Sequence, residues 1–216
     1  MKLLSVNVGK PQEVIYDNKK VLTGIFKQPL QGKVQLKTLN LAGDGQADLK
    51  VHGGIHKAVY IYSIENYDYW RAELGRDDFT LGQFGENFTV SGMTDDQVHI
   101  GDIFQVGTAQ VEVTQPRRPC FKLGIRMAQP DFPHQFLASC RTGFYVRVVQ
   151  EGEVEAGDSV QRLSIGPGSM TVQMVCDLLY GGHDKSEPSY QQAVQQVLQI
   201  PSLSPSWQRH FEQKIR

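Results

Sequence analysis

The chain has 216 residues, with 22 Lys and Arg against 23 Asp and Glu, a formal net charge of −1 and 40% hydrophobic residues. That is enough chain for one large domain, or one domain with a small appendage, and the balanced charge speaks against bulk nucleic-acid binding and against a polybasic membrane-surface protein. No apolar run approaches the roughly 20 residues of a bilayer-spanning helix, and the opening Met1-Lys2-Leu3-Leu4-Ser5-Val6-Asn7-Val8-Gly9 has no signal-peptide core, which predicts a cytoplasmic protein.

Most of the chain reads as β, with short alternating segments parted by Gly, Asp and Asn turns, as in an antiparallel sandwich or barrel. Helical spacing first interrupts this pattern after Ser63, a candidate cap for a helix over Ile64 to Leu74 with Ile64, Tyr67, Trp70 and Leu74 on one face. The clearest strands are Ile103 to Val106 and, after Gly107, Ala109 to Thr114, where Ala109, Val111 and Val113 share a face. A short helix is expected over Asp131 to Ser139, with Pro133 near its start, and another strand over Phe144 to Val149. Ile100-Gly101-Asp102-Ile103 and Ala156-Gly157-Asp158-Ser159-Val160 look like two similar strand entries, each begun by a Gly-Asp turn.

After Leu163 the composition changes. Gly166-Pro167-Gly168 reads as a linker, followed by two amphipathic stripes (Val172, Val175, Leu178, Leu179; then Tyr190, Val194, Val197, Leu198) and a last helix capped by Ser206 and carrying Trp207, His210, Phe211 and Ile215. The spacing predicts a mainly β domain over 1–165 and a small three-helix domain over 166–216, with the stripes serving core packing.

The three cysteines, Cys120, Cys140 and Cys176, form no CxxC pair, which argues against a disulfide framework and a Cys-rich zinc site. Only Cys120 has chemically suggestive neighbours. In Gln115-Pro116-Arg117-Arg118-Pro119-Cys120-Phe121-Lys122-Leu123-Gly124-Ile125-Arg126, four basic residues fall within ten positions and two prolines stiffen an expected loop around the thiol. Adjacent cations favour the thiolate, which is the nucleophile and metal ligand; a buried Cys beside a solvated basic turn is the plainer alternative.

A second segment, Gly43 to Tyr60, sets glycines beside Lys50, His52, Gly53, Gly54, His56 and Lys57 ahead of an apolar strand, which suits close backbone approach to an anion or a simple turn between strands. A third, Gly82-Gln83-Phe84-Gly85-Glu86-Asn87-Phe88-Thr89-Val90, places Glu86 and Asn87 where they could anchor a polar ligand or form a turn. Walker, GxGxxG, GxSxG and HExxH patterns are missing from the sequence.

Four motifs in this order carry a resemblance: Gly45-Gln46-Ala47-Asp48 with Lys50-Val51-His52-Gly53-Gly54; Phe84-Gly85-Glu86-Asn87-Phe88; Ile100-Gly101-Asp102-Ile103-Phe104; and Gln115 to Leu123 around Cys120. The sequence resembles the MOSC-domain proteins, and among them the bacterial YiiM group, over nearly its whole length. The resemblance implies a MOSC-type β-barrel followed by a three-helix domain, a molybdenum–pterin cofactor (the molybdenum cofactor) and Cys120 as its protein ligand. It also implies reduction of N-hydroxylated compounds such as N-hydroxylaminopurine. On that basis Arg117, Arg118, Lys57 and Lys122 are expected to neutralise the cofactor's anionic groups, Gly53, Gly54 and Asn87 to hydrogen-bond the pterin, and His52 and Glu86 to deliver protons. A separate electron-donor protein is expected, for which the three-helix unit is a candidate dock, because the chain has no flavin, haem or iron–sulfur motif. The alternative is a sulfur carrier bearing a Cys120 persulfide.

Overall fold

The computed structural model describes residues 1–48 and 53–214. Strands β1 (Lys2–Val8), β2 (Gln12–Tyr16), β3 (Lys19–Thr23), β4 (Gln28–Leu30), β5 (Val34–Lys37) and β6 (Asn40–Leu41) open the chain. A 3-10 turn (Ile55–Lys57) leads into β7 (Val59–Ser63), helix α1 (Ile64–Leu74) and β8 (Phe88–Ser91). Then follow β9 (Ile103–Val106), β10 (Ala109–Pro116), α2 (Phe121–Met127), α3 (Phe132–Ala138), β11 (Phe144–Gln150), β12 (Gly152–Val154) and β13 (Val160–Ser164). The chain ends in α4 (Val172–Tyr180), α5 (Pro188–Leu198) and α6 (Pro205–Lys214). Among the described residues no helix is long and apolar enough to cross a membrane.

Eight strands form one mixed sheet in the order β13-β9-β10-β11-β7-β8-β1-β4. The pair β7–β8 is parallel, which requires a crossover connection, and α1 supplies it. The expected barrel is corrected to a sheet that closes only in part. The outer edge of β1 is shared: Val6, Asn7 and Val8 pair with β4, leaving only its N-terminal end to meet the lead-in to β13. There an isolated Lys2–Ser159 bridge, Leu3 N–H to Asp158 O at 2.9 Å and Val160 N–H to Met1 O at 3.0 Å tie the two margins together.

Two cores flank this sheet. The larger joins the apolar faces of β1, β10 and β11 to the stripes of α4, α5 and α6, so Val111, Val113, Val175, Val194 and Phe211 belong to one buried cluster. The smaller is aromatic, with Tyr60, Tyr62, Tyr67, Trp70, Phe84, Phe132 and Phe136 packed beneath α1, α2 and α3. Tilted and edge-on ring pairs run through it, among them Tyr67–Phe84 at 4.9 Å and Trp70–Phe132 at 4.9 Å.

Local details depart from the expected caps. Ser63 occupies the N-cap of α1 but makes no capping bond; its hydroxyl pairs with Glu65 instead. The last helix begins one residue before Ser206, and Ser204 Oγ receives the Trp207 N–H at 3.4 Å. Ile215 lies outside the described residues.

Candidate functional site

Strand β10 is an interior strand of the sheet, almost wholly buried, and it leads into the Cys120 segment. Its apolar side, Ala109, Val111 and Val113, is fully buried. Its polar residues bond to the turn before α6 and to the first turn of that helix: Ser204 N–H donates to Thr114 O at 3.0 Å, Ser202 Oγ to Glu112, and Ser206 Oγ to Gln115 at 3.4 Å. One further ladder bond, Arg117 N–H to Gly143 O at 2.9 Å, holds the chain where the strand ends. Cys120 then sits at the N-cap of α2 in an extended conformation. The expected loop through Arg126 is therefore corrected: from Phe121 the segment is helical, because Leu123, Gly124 and Met127 bury one face of it.

Cys120 is half-buried at the junction of two cavities. The first encloses about 600 Å³ including its open mouth, and Lys57, Gly45, Gly85, Asn87, Arg117 and Lys122 line it with the thiol. Lys27, Asp44, Tyr60 and Tyr145 also line it. Lys57 is half-buried, and that burial, with the Arg118 charge beside it, lowers its ammonium pKa. The Arg117 side chain is buried, its Nη1 donating to Tyr60 Oη at 3.2 Å, while Tyr60 Oη donates to Thr142 O at 2.8 Å. Burial pushes the Tyr60 phenol well above its ordinary value despite the neighbouring Arg117, so Tyr60 stays neutral.

An ion pair missed by the sequence reading closes the far wall. Lys27 and Asp44 are 8% and 1% exposed and bonded to each other. Asp44 also accepts from Gly9 N–H at 2.9 Å and from Asn87 Nδ2 at 2.9 Å. Burial lowers the Lys27 pKa against the pull of Asp44. Nothing local around Lys27 in the sequence marks it; only the return of the 24–27 segment past β1 brings it to Asp44.

Asn87 is spent within this wall. Its Oδ1 accepts Tyr60 N–H at 3.1 Å, and Nδ2 donates to Asp44 and to Asn7 O at 3.3 Å. Asn87 thus braces β1, β7 and the turn that carries Asp44, while still lining the first cavity. Gly85, with φ +81°, brings the backbone to the pocket floor; a Cβ there would lie 2.7 Å from Ile25 Cγ1.

Glu86 is wholly buried and lines neither cavity. It accepts from Tyr67 Oη, Gly82 N–H at 2.9 Å, Phe84 N–H at 3.1 Å and Thr89 Oγ1 at 2.8 Å. Burial raises its pKa against those bonds. It pins the turn that presents Gly85 and Asn87, instead of standing at the pocket as a proton source. Gly53 and Gly54 also line neither cavity; Gly54, at φ +96°, turns the chain into Ile55–Lys57. His52 lies outside the described residues.

Arg117 and Arg118 diverge. Arg118 lines the second cavity, a cleft of about 970 Å³ including open space, which Lys57, Cys120 and Tyr145 share with the first. Its remaining lining comes from Gln115, Pro119 and the helical unit. Cys140 and Cys176 are buried away from both cavities, and a hydrogen bond to Cys140, with burial, pushes the Cys176 thiol up.

Among the described residues no three His, Cys, Asp or Glu side chains gather to hold a metal ion. A metal beside Cys120 therefore needs a cofactor that brings its own ligands. A cavity lined by Lys57, Arg117 and Lys122 besides the Asp44-paired Lys27, bordered by glycine backbone and reached by one thiol, suits an anionic, flat group of that kind.

Residues 48–161 match the MOSC domain, and the chain belongs to the MOSC family. Residues 170–216 match the YiiM-like, 3-alpha helix domain, which places the chain in the YiiM group. It is 41% identical to YflK of Bacillus subtilis (strain 168) over 98% of this chain and 93% of that one. It is 32% identical to YiiM of Escherichia coli (strain K12) over 89% and 84% of the two chains. A protein named "Reductase" from Gibberella moniliformis is 34% identical over 74% of this chain, which spans 29% of that longer one. The solved YiiM from Geobacillus stearothermophilus superposes with a TM-score of 0.82 at 34% identity, covering 100% and 99% of the two chains.

Proposed function

We propose that this chain is a molybdenum-cofactor-dependent reductase of N-hydroxylated bases such as N-hydroxylaminopurine, with Cys120 as the metal's protein ligand. The observation that carries the reading is the position of Cys120 between two cavities, one cationic and glycine-floored, the other open to a small molecule. The "Reductase" relative and the YiiM relatives support the same class.

Lys57, Arg117 and Lys122 would face the cofactor's anionic groups, and Cys120 would give one soft sulfur to the metal. Bound there, the cofactor supplies two-electron oxygen removal: R–NH–OH, two electrons and two protons give R–NH2 and water. Tyr60, neutral and bonded to Arg117, fixes the direction of that guanidinium. The Lys27–Asp44–Asn87 wall holds the pocket's shape, and α2 keeps the thiol at the junction. The electrons are assigned to a separate donor protein.

A sulfur carrier needs only an accessible, activated thiol. The convergence of Lys57, Arg117, Lys122 and a glycine floor on Cys120 favours cofactor binding over persulfide transfer.

The test is elemental mass spectrometry of the chain and of Cys120→Ala, both from a cofactor-competent host, with turnover of an N-hydroxylated base by a chemical reductant. Near-stoichiometric molybdenum and turnover in the parent, both lost in the variant, are expected. A metal-free parent carrying a Cys120 persulfide would overturn the reading.

A further inference from the structure

Two thiols that the proposed reaction does not use meet where the helical unit joins the sheet. Cys140 lies in the turn between α3 and β11, and Cys176 lies on α4; they are 6% and 0% exposed. Backbone bonds bring the two segments together at Asp95: Gly143 N–H donates to Asp95 Oδ1 at 2.7 Å, and Gln173 N–H to Asp95 O at 2.8 Å. Across that junction the Cys176 thiol is hydrogen-bonded to Cys140 and to Thr142. We propose that Cys140 and Cys176 are a thiol–disulfide pair, which a peroxide oxidises to a covalent link between the sheet and the helical unit.

The backbone holds the pair in place. Cys140 has φ +49°, in the left-handed region where glycine is relaxed and a side chain is not. Bonds on both sides fix it there: Cys140 N–H to Leu137 O at 3.1 Å, and Arg141 N–H to Ser139 Oγ at 3.1 Å. A strained residue of this kind persists only where its surroundings over-determine it. The thiol is thus presented to α4 by a fixed turn.

Burial assigns the order of attack. Cys140 keeps slight exposure and Cys176 has none, so the oxidant reaches Cys140 first. There R–SH and H2O2 give R–SOH and water. The Cys176 thiol then attacks the sulfenic sulfur, the S–S bond forms, and the hydroxyl leaves with the Cys176 proton as a second water. The two sulfurs lose two electrons and the peroxide gains them. The bond to Cys140, burial and the nearby Asp95 keep Cys176 protonated, which guards it against direct oxidation.

The consequence falls on the second cavity. Tyr180 ends α4, lines that cavity and stands within electrostatic reach of both thiols. The turn at Cys140 leads into β11, which carries Tyr145 of the same cavity. The link therefore bolts two walls of the cavity together, and its formation needs neither the cofactor nor Cys120.

The test treats the folded parent chain and Cys120→Ala with hydrogen peroxide and maps non-reduced peptides by mass spectrometry. A Cys140–Cys176 peptide, two hydrogens lighter than the free pair and released by dithiothreitol, is expected in both. Cys176→Ser should stop at a Cys140 sulfenic acid, trapped by dimedone, whereas Cys140→Ser should leave Cys176 a free thiol. Thermal unfolding shows that both serine variants keep the fold. The linked chain should melt about 5 °C or more above the reduced one, because the closed loop restricts the unfolded chain. Free Cys140 and Cys176 beside an oxidised Cys120 at excess peroxide would overturn the proposal. So would a link that forms only in urea, or a linked chain that melts below the reduced one.

Discussion

The Arg117 guanidinium stands 4.5 Å above the centre of the Tyr60 ring and 5.4 Å from that of Phe136, whereas Arg118, the next residue, enters the other cavity. Two adjacent arginines thus serve two sites on either side of Cys120. The extended backbone after β10 sends successive side chains to opposite sides, so one cation is stacked and buried and the other faces the helical unit.

A desolvated guanidinium over an aromatic face contributes about 2 kcal/mol, and a charged hydrogen bond to a ligand about 1.5–3 kcal/mol. Arg117→Gln should therefore lower cofactor loading about ten-fold or more under limiting supply, measured as molybdenum per chain. Loading equal to the parent's would remove Arg117 from the cofactor site.

The Lys27–Asp44 pair predicts a large asymmetry. Lys27→Met leaves a buried carboxylate without its cation and should cost about 3–5 kcal/mol. Replacing both partners, as in Lys27→Met with Asp44→Asn, should recover part of that loss, because the Asn side chain can still accept from Gly9 N–H. Urea unfolding of the three proteins reads the difference.

Glu86→Gln separates bracing from proton delivery. The amide keeps one acceptor oxygen and turns the other into a donor facing N–H groups, so stability should fall by about 1–3 kcal/mol. Turnover per molybdenum should stay within a few-fold of the parent. Unchanged stability with turnover abolished would return Glu86 to the reaction.

Asp95 gives a pH signature. It is buried, bonded to Asn66 Nδ2 and Gly143 N–H, and burial raises its carboxyl to about 6, against about 3.9 in an unfolded chain. Below about pH 4 both states hold the proton. Between about pH 4 and 6 the folded state keeps a proton that the unfolded chain has lost, so stability falls as pH rises, by up to about 3 kcal/mol, and stays lower above pH 6. Asp95→Asn should flatten this component, seen as a smaller drop in urea midpoint between pH 4.5 and 6.5.

Elements whose pattern is local are legible in the residues alone. The alternation in Ala109 to Val113, the helical face with Tyr67 and Trp70, and the stripes of α4 and α5 all form as their periods require, because each buries its apolar side against one neighbour. Cys120 stood out for the same reason, since its basic and proline-rich neighbours are adjacent in the chain. What lies across from it depends on segments far away in the chain. Lys27 and Asp44 meet only because the 24–27 segment passes beside β1, and Tyr180 and His210 reach the cleft only because α4 and α6 share a core with β10. The sheet stays partly open because β4 claims an edge of β1 that composition cannot assign. Glu86 shows the same limit: as a letter it reads equally as a ligand anchor or part of a turn, and only the fold shows its carboxylate spent on the turn before Asn87, away from both cavities. Periodicity fixes which face of a segment is buried; which other segment covers it depends on contacts between residues far apart in the chain.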